Sequence, residues 1–176
     1  MGKGITLAKK IDLGCGKNIK EGFIGIDKIL GVDIDKVGIP FPDETINEIY
    51  SFHFLEHTDD LVFVFKEIHR VLKSNCIAEV IVPHFSNIGA FHWTHRHFFN
   101  VRGFDFIEKN HPHHFYCPDI SFQIIDKNIE FKEKRNVSFS ILERIVNINK
   151  FSQRVYEQYF SGWFRAYQIR IIMRKD

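Results

Sequence analysis

The chain has 176 residues, 44% apolar and 26% charged, with a net charge of +2 at neutral pH, so it is long enough to bury a substantial core without covalent cross-links. No apolar run reaches the roughly 18 residues of a spanning helix and the amino terminus lacks a signal pattern, so the expected location is cytoplasmic. Cys15, Cys76 and Cys117 are odd in number and form no CxxC, which excludes a disulfide framework or a cysteine zinc clip. Charge is uneven: residues 1–88 carry a net −3 and residues 89–176 a net +5. No run of five or six basic residues accompanies that asymmetry, so dispersed surface charge accounts for it.

Residues 9–27, KKIDLGCGKNIKEGFIGID, read as two short strands around a glycine turn. Gly14 and Gly16 let the backbone approach a ligand closely. Asp27, at the carboxyl end of the second strand, is placed to accept from the hydroxyls of a ribose. A dinucleotide fingerprint would need a third glycine at position 19, which is Ile19. Only nine residues join the strands expected at 10–13 and 23–26, too few for an ordinary helical crossover, so the first crossover helix is expected to be shortened or lost.

Further along, Gly31–Asp35 reads as a short third strand, broken at Pro40 and Pro42. Residues 48–57 alternate as a fourth strand with its exit loop. In residues 59–73, Leu61, Phe65, Ile68 and Leu72 fall on one helical face, with acids at the start and bases at the end. Residues 78–83 form a fifth strand, and strands alternating with helices predict an α/β fold. The second half reads as a short helix at 103–108, a strand pair at 120–125 and 129–139, a helical region at 141–160 and a last strand at 167–173. No repeat or low-complexity linker divides the chain.

Asp12, Gly14 and Gly16 match the acid-x-Gly-x-Gly motif of class I S-adenosylmethionine-dependent methyltransferases, with Asn18 where a third glycine is usual. Phe41-Pro42-Asp43, Glu48-Ile49-Tyr50 and His53-x-Leu55-Glu56-His57 follow in the same order. From Ile11 to about Phe85 the chain closely resembles small methyltransferases of the type 11 group. The resemblance implies a Rossmann-like, doubly wound, mostly parallel sheet with an antiparallel closing strand. It implies one domain over residues 1–176, with a cofactor-binding half at 1–85 and a substrate-side cap at 86–176. It also implies S-adenosyl-L-methionine as cofactor, with Asp12, Gly14, Cys15, Gly16, Asp27, Lys28, Ile34, Asp35, Phe52 and His53 as the binding residues. Asp35 would meet the adenine amine and Ile34 its ring, against the alternative that Asp35 only ends a strand.

His53, His57 and His95 are the candidate catalytic residues, either as general bases or as positioning groups. Glu56 is read as a helix cap or as the orienter of a histidine tautomer. His92, His95, His97, His111, His113 and His114 invite a metal reading, but their spacing is not diagnostic and no cysteine or acid pair joins them, so no metal is expected. They are read instead as lining an acceptor pocket with Trp93, Phe98 and Phe99. The expected acceptor is a small molecule or sugar precursor. A nucleic-acid acceptor is less favoured, because the Asn-Pro-Pro-Tyr type of motif is absent at the fourth strand. A non-catalytic methyltransferase-like module is the other alternative, and the sequence leaves the oligomeric state open.

Overall fold

Strand β1 (Lys10–Leu13) and strand β2 (Ile24–Ile26) lie where apolar residues flank the glycine turn. The fold is a computed structural model, described over residues 9–131 and 137–176. β1 and β2 pair in parallel, with Ile11 opposite Ile24 and Leu13 opposite Ile26. Their connection contains turns and no helix, so the first crossover helix is lost. The Asp12 carboxylate accepts the Lys20 amide at 2.8 Å, and the Gly14 amide donates to Ile26 at 2.8 Å. These bonds replace the helix in holding the short crossover against the sheet.

The expected strand at 31–35 does not form. Gly31, at φ +94°, closes a 3₁₀ turn over Lys28–Leu30, and residues Ile34–Val37 make a short helix, α1. The alternation of Val32-Asp33-Ile34-Asp35 imitates a strand, but Asp33 provides the carbonyl that the amides of Lys36 and Val37 donate to. Aspartate favours such helix starts over strand interiors. Ile34 is buried beneath them.

Strand β3 (Ile46–Phe52) pairs in parallel with β1 and with strand β4 (Leu72–Pro83). Between them lies helix α2 (Leu61–Val71), whose Asp60 side chain accepts the Phe63 amide at 2.9 Å and whose Val64, Phe65, Ile68 and Val71 face the core. The helix passes into β4 with no intervening loop. Strand β5 is Phe122–Glu130 and strand β6 is Gln168–Lys175. The sheet order is β2-β1-β3-β4-β6-β5, with β6 antiparallel to both of its neighbours.

The expected strand pair at 120–125 and 129–139 is instead one strand. Asp126-Lys127-Asn128 stays extended, a register irregularity between Ile124 and Asp126 absorbs the break, and Lys127 pairs with Asp105. Residues 132–136 of that expected strand lie outside the described residues, and 137–139 open helix α3 (Val137–Val146). Helix α4 (Lys150–Val155) begins at a reciprocal Asn149–Ser152 cap and continues into a π-helical turn over Tyr156–Phe160.

Ile11, Leu13, Ile49, Val80, Ile169, Ile171 and Met173 turn one face of the sheet into the core and join α2 there. Each such side chain contributes about 1.5–3 kcal/mol by leaving water. The alternate residues form a half-exposed polar face. Across it Lys20, Glu79, Arg170 and Asp126 make a ladder of ion pairs at 3.3, 2.6 and 3.2 Å.

Candidate cofactor site

A cavity of about 530 Å³ opens at the carboxyl ends of β1, β2 and β3, the crevice where open α/β sheets bind ligands. Gly14 forms part of its wall at φ +67°, and a β-carbon there would run into the Phe54 ring. Gly16, at φ +55°, has open space where its β-carbon would be. The Gly16 amide donates to Asp27 Oδ2 at 2.9 Å, and Asp27 Oδ1 accepts the Ile29 amide at 2.8 Å. Each carboxylate oxygen thus keeps a further lone pair. Asp35 Oδ1 accepts the Asp59 amide at 3.0 Å, and Asp33 lies between Lys28 and Lys36 at 3.2 and 3.4 Å.

Of the residues expected at the cofactor, Gly14, Asp27, Lys28, Ile34, Asp35 and His53 line this cavity, as does His57. Gly16 adjoins it through Asp27. Asp12, Cys15 and Phe52 are not among its lining residues. The Asp12 carboxylate is buried on the Lys20 amide, and burial raises its pKa. Cys15 packs against Gly25, and burial, with the nearby acids, pushes its thiol up, away from nucleophilic reactivity. Phe52 stacks on His53 with ring centres 4.3 Å apart. Phe54, Asp59 and Arg96 also line the cavity and were not anticipated. Arg96 pairs with Asp59 at 3.0 Å, a contact between distant segments that leaves no spacing signal.

The β3 exit carries His53, Glu56 and His57. His53 has φ +50°, a sparsely populated conformation for a non-glycine residue, and conformations of this kind cluster at functional sites. Its Nε2 donates to Gln168 Oε1 at 3.0 Å, while the Gln168 amide group donates to Glu130. Glu56, 1% exposed, caps no helix. Its Oε1 is 3.8 Å from His53 Nδ1, and neither carboxylate oxygen has a hydrogen-bond partner among the described residues. Burial pushes its pKa up to about 7.

The cap is stitched to this turn. The amides of Arg96 and His97 donate to the Glu56 carbonyl at 2.7 and 3.3 Å. His57 Nδ1 lies 3.4 Å from the Thr94 carbonyl, and His95 Nδ1 lies 2.9 Å from that of Ala90. The two rings meet edge to face at 4.6 Å, and burial lowers the His57 pKa. A second cavity of about 390 Å³ shares Arg96 with the first and is walled by His97, Phe98, Phe99, Phe104 and Phe106. Trp93, expected in that wall, is 89% exposed. His111 instead meets Phe106 edge to face and His113 meets it at a tilt, with ring centres 4.8 and 5.8 Å apart.

The mostly parallel sheet with its antiparallel closing strand, and the glycine turn and acid at its carboxyl edge, make this the Rossmann-like fold of S-adenosylmethionine-dependent methyltransferases. The family described as Methyltransferase domain, of type 11, matches residues 19–78, about a third of the chain. No curated protein matches. Among solved structures, a SAM-dependent methyltransferase from Archaeoglobus fulgidus aligns over 96% of this chain and 86% of its own, with 17% identity and a TM-score of 0.58. A putative methyltransferase of Haloferax volcanii, solved with the Trm112 methyltransferase activator, covers 95% and 82% with 13% identity and a TM-score of 0.57. The [4+2]-cyclase SpnF covers 96% and 74% with 15% identity and a TM-score of 0.54. One fold therefore carries more than one chemistry, and function must be argued from the site.

Proposed function

We propose that the chain is a single-domain methyltransferase, residues 1–85 binding S-adenosyl-L-methionine and residues 86–176 capping the acceptor, and that it acts in the cytoplasm on a small molecule. The observation that carries this reading is the cavity where the Gly14 turn, Asp27, Asp35 and His53 converge. Its volume suits an adenosine-sized ligand. Asp27 would accept from the ribose hydroxyls and Asp35 from the adenine amine, with Ile34 beneath the ring. The aromatic cavity beyond Arg96 would take the acceptor.

In the reaction, the acceptor heteroatom attacks the methyl carbon in line with the breaking carbon–sulfur bond. That bond's electron pair returns to sulfur, S-adenosylhomocysteine leaves as a neutral thioether, and the acceptor's proton is released. The protein contributes chiefly by orienting the two reactants. His53, His57 and His95 lie beside this path as positioning groups or bases.

Calorimetric titration with S-adenosylmethionine and S-adenosylhomocysteine tests the reading, with NAD as a control. Saturable binding, weakened at least about tenfold in Asp35→Ala through loss of a charge-assisted hydrogen bond, is the expected result. No binding by folded protein would overturn it.

A further inference from the structure

We infer that Glu56, His57 and His95 form a binding site for one divalent transition-metal ion of the zinc class, at the wall of the cofactor cavity. Each residue offers a ligand atom, and these atoms all lie within 4.8 Å of one another. In the sequence, the spacing of His92, His95, His97, His111, His113 and His114 is not diagnostic and no cysteine or acid pair joins them; in the fold, Glu56 is brought to His95 by the bonds from the Arg96 and His97 amides to its carbonyl.

Two independent observations point to a cation. Glu56 is 1% exposed and neither oxygen has a hydrogen-bond partner among the described residues, His53 Nδ1 standing 3.8 Å from Oε1, an arrangement that costs free energy unless something further compensates the buried carboxylate. Moreover, a carbonyl only accepts, so the Nδ1 of His95 carries the proton in its bond to Ala90, and its Nε2 is then a lone-pair donor. Imidazoles bound to metals are held in this way, with the remote N–H donated to a carbonyl or carboxylate. His57 Nδ1 faces the Thr94 hydroxyl at 3.2 Å and the Thr94 carbonyl at 3.4 Å.

Two imidazoles and one carboxylate suit zinc and its neighbours rather than magnesium or calcium, which prefer oxygen. Three protein ligands leave a coordination position open, as catalytic zinc sites do. His57 lines the cofactor cavity and is solvent-accessible, so an ion has a path in. If the methyltransferase reading holds, on which this extension rests, the open position would take the acceptor's oxygen or sulfur as an anion, its proton passing to solvent before the methyl transfer described above. The acceptor class is then a hydroxyl or thiol compound rather than an amine.

The test is titration of chelator-treated full-length protein with Co²⁺, read by its visible absorption, followed by Zn²⁺ or Mg²⁺ competition. The expected result is one equivalent bound, displaced by Zn²⁺ and not by equimolar Mg²⁺. Glu56→Gln and His95→Ala, checked for folding by circular dichroism, should each weaken Co²⁺ binding by at least the ~10–100-fold typical of losing even an outer-shell partner. His113→Ala should leave it unchanged. No saturable binding by folded protein, or binding undiminished in both ligand variants, would overturn the inference. S-adenosylmethionine titration of the same preparations separates this outcome from a failure of the methyltransferase reading.

Discussion

The glycine turn beside the cavity is held through main-chain amides over short sequence distances, whereas the second half of the chain is held by side chains bonded to residues 56 to 80 positions away. Asp27 binds amides 11 residues before and two after it, and Asp12 binds one eight residues on. In the cap, Glu157 accepts from His84, 73 residues away, and from the Val101 amide, 56 away. Ser86 accepts the Ala166 amide, and Asn87 donates to the Tyr167 carbonyl, each across 80 residues. Short-range bonding of this kind writes a compact motif into the sequence. The long-range kind does not.

The largest expected effect breaks the first region. Gly14→Ala must hold a left-handed conformation and displace Phe54, so a destabilisation of about 3–4 kcal/mol is expected in urea denaturation. Gly16→Ala, with strain but open space, should lose only about 1–2 kcal/mol. Equal losses would contradict the different surroundings of the two glycines.

In the cap, Glu157→Ala removes the acceptor from two buried donors and should cost about 2–3 kcal/mol by the same assay. The Ser86 amide donates to His84 Nδ1, so His84 Nε2 carries the proton that Glu157 accepts. A loss below about 0.5 kcal/mol, the range of ordinary surface substitutions, would show that the cap does not depend on this junction.

The smallest effect concerns the contact between α2 and the segment that leads into β3, and appears as pH dependence. Hydrogen bonding to Arg70 holds the Glu67 carboxyl below its ordinary pKa. Glu67 also accepts the Ile39 amide at 2.8 Å, and Arg70 fastens Phe41 and Asp43. A carboxylate with a depressed folded-state pKa stabilises fully above its unfolded value, and that stabilisation disappears as pH falls through the folded value. Stability should therefore drop below the ordinary carboxylate range by on the order of 1 kcal/mol from this group. Glu67→Gln should flatten that part of the profile, and an unchanged acid limb would contradict the assignment.

The same contrast explains what could be read in the sequence. The turn at Gly14 and Gly16, the acid at Asp27, most of the α2 face and the last strand rest on local periodicity or spacing and lie where residue order places them, whereas Leu72, expected on the helical face, opens β4. Residues 31–35 misled because alternating Asp and apolar residues satisfy a strand and a capped helix equally well until Gly31 sets the backbone. The single strand through 126–128 was hidden because Asp126, Lys127 and Asn128 read as a turn, while their extended form depends on partners such as Asp105 and Arg170. Arg96 and the burial of Glu56 carried no local signal, since both follow from the cap folding back on the β3 exit.

β6 lies between β4 and β5 but follows both in the chain. During synthesis, β5 is therefore made before the strand that will join it to the sheet. Until β6 arrives, the exposed edge of β4 presents unpaired main-chain groups beside buried positions meant for Ile169, Ile171 and Met173. Such an edge can pair with another chain, and transiently exposed surfaces of this kind favour aggregation during folding. Ribosome-bound intermediates that stop short of Gln168 are accordingly the species on which chaperone protection would matter most.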